Sequence, residues 1–236
     1  MDYEVVINST LRLGMQAPDF EANTTCGNVK LSEYKGKWVV FFSHPADFTP
    51  VCTTEILAFQ KMIKYFEERN TQLLGLSVDS NPSHLAWLKN IKDNTGVEIT
   101  FPLIADKDMS IARRYGMIAP EVANIETVRN VYIIDDKQVI RTILMYPMTN
   151  GRYIPEIIRI IDSLQITDKE NVSTPANWVP GNPVVVPSPK QFCNINSNVD
   201  NERLTCVDWY LCFKKLENQS INKNVQREIN SKENVK

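Results

Sequence analysis

The stretch Trp38 to Ser43, WVVFFS, constrains the fold of this chain more than any other. Five apolar, β-branched and aromatic residues followed by a serine, with no charge among them, read as a strand buried on both faces. The period then changes. Ile56, Phe59, Ile63 and Phe66 recur at three- and four-residue spacing, with Lys61, Lys64, Glu67 and Glu68 between them. That is an amphipathic helix over 53–68. A buried strand feeding directly into a helix is the unit from which α/β folds are built.

The same alternation continues. Leu73 to Val78 reads as a second buried strand, and a helix around 83–94 follows the turn at Asp79 to Pro82. Phe101 to Ala105 reads as a short strand, with a helical turn around 109–115 after it. Val131 to Ile134 and Val139 to Met145, joined by Asp135-Asp136-Lys137, read as a β-hairpin. Ile154 to Leu164 reads as a last amphipathic helix. The expected domain spans 1–167: a mixed central sheet with helices on both faces.

Beyond it the composition shifts. Pro175, Pro180, Pro183, Pro187 and Pro189 fall within 171–190, so 168–215 is expected to be an extended arm. Such an arm has no obvious core of its own, which favours its crossing to a partner subunit. Residues 216–236, rich in Asn, Lys, Glu, Gln and Ser, are expected to be a frayed or disordered tail.

Charge and cysteine usage narrow the function classes. With 26 Lys+Arg against 28 Asp+Glu the net charge is -2, which argues against a broad nucleic-acid-binding face. No apolar run reaches the length of a membrane span, and Asp2 and Glu4 stand where a signal peptide would be positive. The chain reads as cytoplasmic. Its five cysteines, Cys26, Cys52, Cys193, Cys206 and Cys212, are odd in number and scattered, unlike a secreted disulfide framework. There is no C-x-x-C and there are two histidines, His44 and His84, so no metal site and no cofactor are expected.

Between the first strand and its helix lies Ser43-His44-Pro45-Ala46-Asp47-Phe48-Thr49-Pro50-Val51-Cys52-Thr53-Thr54-Glu55. Thr49 suits an N-cap and Pro50 the first helical position. Cys52 then occupies the third helical position, where unpaired N–H groups and the helix dipole favour an anion. A thiolate is such an anion. By position alone, a reactive Cys52 and a small buried hydrophobe are both open.

Pro45-x-x-x-Thr49-x-x-Cys52 resembles the active-site signature of the peroxiredoxins, and HPADFTPVCTTE is similar to the peroxiredoxin-6-like, one-cysteine subfamily. SVDSNPSHLAWLKNI (77–91), ETVRNVYIIDD (126–136), MYPMTNGRYIPEIIRIIDSLQ (145–165) and STPANW (173–178) carry the same resemblance, from about residue 11 to about residue 215. It implies a thioredoxin-like fold with a C-terminal extension, and thiol peroxidase activity on hydrogen peroxide and organic hydroperoxides. Cys52 would be the peroxidatic cysteine. Thr49 would hold the peroxide, Pro45 would shield the site, and Arg129 would stabilise the thiolate and the leaving oxygen. His44 would tune the thiolate or bond the peroxide, and Glu55 and Arg152 would hold Arg129. His84, in a polar turn beside Ser83, reads as helix-start surface, and Cys26 as a non-catalytic turn residue.

The segment Cys206-Val-Asp-Trp-Tyr-Leu-Cys212 resembles the C-terminal cysteine pair of archaeal-type members. That resemblance implies Cys212 resolving Cys52 of the dimer partner, with Cys206–Cys212 as the alternative pairing. Cys193 has no counterpart in it. A thiol reductant such as thioredoxin or a small thiol is implied, as are homodimers and rings of five dimers. The lipase-like activity of some vertebrate-type relatives is not carried over, because Lys37 stands where their serine would be. A peroxide sensor and a ring-assembled chaperone use the same cysteine chemistry and stay open at this point; a disulfide reductase is disfavoured by the missing C-x-x-C.

Overall fold

The computed structural model describes residues 11–216, so the expected tail over 217–236 lies outside the described residues. The chain divides into two compact units, Met1–Ile154 and Pro155–Lys236.

In the first unit β1 (Glu21–Thr24) and β2 (Gly27–Lys30) form a hairpin, followed by β3 (Trp38–Ser43), α1 (Pro50–Lys61), α2 (Ile63–Glu67) and β4 (Thr71–Ser77). Next come α3 (Asn81–Thr95), β5 (Leu103–Ala105), α4 (Ser110–Arg114), β6 (Arg129–Ile134) and β7 (Ile140–Tyr146). The strands make one mixed sheet in the order β2-β1-β5-β4-β3-β6-β7. β3 runs parallel to β4 and antiparallel to β6, and all six of its residues are buried.

Period-two alternation along β3 sends neighbouring rings to opposite faces. Phe42 stacks on Phe59 of α1, with centroids 4.3 Å apart, and Phe101 meets it edge-on. Phe41 packs with Phe20 and Tyr115 in a cluster that includes Ile111 and Ala112 of α4. Each fully buried ring contributes roughly 1.5–3 kcal/mol over its exposed state. Gly75 of β4 lies opposite Phe42, where a Cβ would come within 2.5 Å of the Leu103 side chain. The two strands close over this ring only because glycine has no side chain.

The helices differ in detail from the sequence expectation. α1 begins at Pro50 with Thr49 as its N-cap, and the expected single helix is interrupted at Met62 (φ -106°, ψ 10°). α3 begins at Asn81, capped by the Ser80 side chain, and ends on Gly96 at φ 71°, the left-handed stop that glycine favours.

In the second unit α5 (Ile154–Glu170) extends beyond Leu164. β8 (Val184–Val185), β9 (Thr205–Asp208) and β10 (Leu211–Lys214) form a three-stranded sheet in the order β8-β10-β9. The proline-rich segment differs from the expectation of an arm without a core: Val172, Trp178 and Val184 are buried together, flanked by Ile166 and Leu216. Trp178 makes this core workable, because its indole N–H donates to the Asn182 carbonyl at 3.1 Å. Among the described residues no helix is long and apolar enough to cross a membrane.

Candidate active site

The loop between β3 and α1 is fixed by main-chain bonds at both ends. The His44 N–H donates to the Leu76 carbonyl at 2.9 Å, continuing the β3–β4 ladder, and Thr127 Oγ1 donates to the His44 carbonyl at 2.7 Å. The Asp47 N–H donates to Asp79 Oδ2 at 3.0 Å, and Ser77 Oγ holds that same oxygen at 2.7 Å. Between these anchors Phe48 takes φ 56° with its ring exposed. A bulky side chain in this region costs about 1–2 kcal/mol, which the flanking bonds offset.

Thr49 caps α1 by conformation, not by its side chain. Its carbonyl accepts the first intrahelical bond, from Thr53 N at 3.0 Å, and its Oγ1 turns back to donate to the Ala46 carbonyl at 2.8 Å. Cys52 is the third helical residue and is fully buried. Pro45 is buried beside the same loop.

Arg129, the first residue of β6, brings its guanidinium to Cys52. Its Nη1 donates to Cys52 Sγ at 3.4 Å and to Glu55 Oε2 at 2.6 Å. Its Nε and Nη2 both donate to the Met148 carbonyl, at 2.9 and 2.7 Å, so the fork cannot rotate without losing bonds.

Arg152 closes the other side. Its Nε and Nη2 donate one to each oxygen of Glu55, both at 2.7 Å, and its main-chain N–H adds a bond of 2.8 Å. Its Nη1 donates to the carbonyls of Ser43 and Asn130, and its plane lies over the rings of Phe42 and Phe59. Glu55 therefore accepts four hydrogen bonds, the full capacity of a carboxylate. Burial alone would raise its carboxyl, but the bonds and charge of Arg152, with the charge of Arg129, bring it below the ordinary glutamate value.

His44 lies at the other end of the loop with Asp47 and His84, all three buried. His84 Nδ1 is 2.9 Å from both Asp47 oxygens, and His44 Nε2 is 3.4 Å from Oδ1. The expectation of His84 as helix-start surface is corrected here: it is 0% exposed. Its polar neighbour Ser80 caps α3 by accepting from the Ser83 N–H, while the ring turns inward to a carboxylate from another element. Sequence reasoning also missed Asp47; its one signal is its place three residues after His44. These three side chains are a group among the described residues whose atoms lie close enough to hold a metal ion, yet those atoms are engaged with one another.

Cys26 and Cys193 are exposed thiols. In the second unit Cys206 and Cys212 face each other across β9 and β10 and are joined by a disulfide.

Residues 13–143 match the family model described as the AhpC/TSA family, and residues 163–192 match the C-terminal domain of 1-Cys peroxiredoxin. The chain is 61% identical over 206 residues to "Peroxiredoxin 2" of Caldanaerobacter subterraneus subsp. tengcongensis, covering 87% of this chain and 93% of that one. Among solved structures it is similar to the yeast mitochondrial 1-Cys peroxiredoxin, described with a thiol resolving mechanism via glutathione/thioredoxin systems. That match has a TM-score of 0.79 at 40% identity and covers 88% of this chain and 100% of that one. It is also similar to a cysteine-to-serine mutant of the Peroxiredoxin 6 of Arenicola marina, with a TM-score of 0.78 at 34% identity, covering 88% and 99%.

Proposed function

The chain belongs to the peroxiredoxin family and is a thiol-dependent peroxidase with a thioredoxin-like fold, and from that premise we propose that Cys52 is its peroxidatic nucleophile. The observation that carries this reading is the contact of Arg129 Nη1 with a buried thiol in the first turn of α1. The Cys52 thiolate attacks one oxygen of hydrogen peroxide or an organic hydroperoxide. An S–O bond forms as the O–O bond breaks, and the electron pair leaves with the other oxygen. That oxygen takes the peroxide's own proton and departs as water or an alcohol, leaving Cys52 oxidised to the sulfenic level.

Each neighbour has a task in this step. Arg129 stabilises the thiolate and the charge growing on the leaving oxygen. Thr49 Oγ1 spends its proton on Ala46, so it meets the peroxide as an acceptor. Pro45 keeps water off the sulfur, and Glu55 and Arg152 hold Arg129. Arg129→Ala is expected to slow Cys52 oxidation by about 100- to 1000-fold, read by stopped-flow fluorescence. Arg152 still engages both oxygens of Glu55 in that variant, so the carboxylate is not stranded.

Resolution is assigned to Cys212 of the partner subunit, which attacks the sulfenic acid, releases water and leaves a Cys52–Cys212 interchain disulfide. Cys206 then displaces Cys52 from Cys212, and an external thiol such as thioredoxin or a small thiol opens the Cys206–Cys212 bond. The disulfide joining β9 and β10 supports this exchange, because the product pair already faces itself across the hairpin. The arm over 168–215 is the proposed dimerisation element of a cytoplasmic enzyme. The proposed assembly is a homodimer, extending to a ring of five dimers, and the edge strand β7 supports the homodimer. Beyond Ile140, which Gly14 and Met15 cover, it runs to Tyr146 with Arg141 as its one charge.

After one equivalent of peroxide on the reduced protein, non-reducing electrophoresis is expected to show a linked dimer in Cys206→Ser, where the exchange to the Cys206–Cys212 bond is blocked, and none in Cys212→Ser. A linked dimer persisting in Cys212→Ser removes Cys212 as the resolving residue.

A further inference from the structure

We propose that His84 is a positioning residue of the peroxidase reaction: through Asp47 it fixes His44 with Nε2 protonated and Nδ1 bare. The inference rests on the assignment of Cys52 as the nucleophile given above, and takes up the expectation from the sequence that His44 bonds the peroxide.

Hydrogen-bond logic decides the protons. Burial pushes the Asp47 carboxyl up, but bonds from His44 and His84 and the charge of His84 outweigh it and hold it well below the usual carboxylate range. An ionised carboxylate only accepts. Every ring nitrogen aimed at it must therefore donate: His84 Nδ1 at 2.9 Å from both oxygens, and His44 Nε2 at 3.4 Å from one. His84 Nε2 lies 3.1 Å from the Ile104 carbonyl, which also only accepts. His84 thus donates from both nitrogens, and its positive charge balances Asp47 inside the fold. The Asp47 backbone is tied to Asp79, so the carboxylate is held from both ends.

His44 is in a different state. Burial depresses its basicity; the bond and charge of Asp47 oppose this, while His84 and Arg152 add to it, and the balance lies below the ordinary imidazole value. The ring is neutral. With its proton on Nε2, Nδ1 carries a lone pair. That nitrogen is buried and has no hydrogen-bond partner among the described residues. Buried acceptors without a donor are rare and call for an explanation. On the residue beside Pro45, a peroxide O–H supplies the missing donor. Nδ1 then holds the proton of the attacked oxygen while the S–O bond forms and the O–O bond breaks. It hands that proton to the departing oxygen, so no further acid is needed.

Two measurements test this. Histidine occurs twice in the chain, so the imidazole nitrogen-15 signals of the reduced, full-length protein, labelled on histidine, come from these two rings alone. Both nitrogens of His84 and Nε2 of His44 are expected to carry protons, and Nδ1 of His44 none. A His44 ring protonated at Nδ1 overturns the proposal without any variant. The second measurement uses side chains that mimic one nitrogen each. In His84→Asn the amide stands near Nδ1 and can still donate to Asp47; in His84→Gln it reaches toward Ile104 instead. The second-order rate constant with peroxide is expected to fall about tenfold in His84→Gln and several-fold less in His84→Asn. The His44 ring should mix tautomers in the Gln variant. Equal losses in the two variants, or no loss in either, overturn the proposal. Should either variant fail to fold, the spectrum of the parent protein still decides. An active Cys52→Ser would sink the site assignment itself; an inactive one beside unaffected His84 variants would sink this inference alone.

Discussion

Replacing Cys52 by serine is expected to leave a folded protein that no longer consumes peroxide. The side chain is fully buried and Arg129 Nη1 points at it, so a serine hydroxyl of similar shape can accept the same bond. What the hydroxyl cannot do is ionise near neutral pH, and the reaction needs an anionic nucleophile. Arg129 and the first turn of α1 stabilise charge only where charge can form. The loss should exceed about ten-thousand-fold, the scale on which removal of a covalent nucleophile acts. Peroxide consumption with a thiol reductant gives the rate, and circular dichroism shows that the fold is kept. Parent-like turnover in Cys52→Ser would mean that another thiol reacts; Cys26 and Cys193, both exposed, would be the next to test.

Glu55→Ala is expected to cost about 3–5 kcal/mol of stability, because it strands two buried guanidinium groups. Arg129 and Arg152 are 2% and 6% exposed and share this one carboxylate. Without it their charges face each other, with carbonyl oxygens and the Cys52 sulfur as the remaining hydrogen-bond partners. Arg129 also loses a bond that aims Nη1 at Cys52, so peroxide reactivity should fall with stability. Urea denaturation at neutral pH measures the first effect and stopped-flow the second. The pH dependence follows from the direction of the Glu55 shift. Its folded value lies below the ordinary one, so its contribution is fully present above the ordinary glutamate range. The contribution is lost as pH falls through the lower folded value. The stability difference between parent and Glu55→Ala should therefore shrink in acid. A difference that is small at neutral pH would mean that the arginines find other partners.

What could be read from the sequence divides along physical lines. The Thr49-Pro50-Cys52 turn was legible because capping is local chemistry: the residues that satisfy the first helical turn are its immediate neighbours. Strand β3 was legible because a run buried on both faces shows in composition alone. Arg129 and Arg152 were reached by resemblance, not by pattern. They meet Glu55 across 74 and 97 residues, and nothing near any of the three announces the others. His84 shows the opposite failure. Its neighbours are polar because they cap a helix, while its own partner lies 37 residues earlier. The proline-rich segment concealed its small core for a similar reason. Val172, Trp178 and Val184, the last of them on β8, stand six residues apart among prolines, too sparse for a helix or strand pattern to show. The Cys206–Cys212 pairing stayed one of two alternatives, because only the hairpin register sets those residues opposite each other.

The enclosure of His44 and His84 also governs how the molecule meets its solvent. The sequence contains no other histidine, and neither ring reaches the surface. No exposed side chain therefore belongs to the class that ordinarily changes charge between about pH 5 and 8. Lysine, arginine and carboxylate groups carry the outer charge, and these keep their charges across that interval. Colloidal behaviour and long-range attraction between copies should stay nearly level from mildly acidic to mildly alkaline conditions. Any activity change over that range then reports on the interior of the protein, not on its coat.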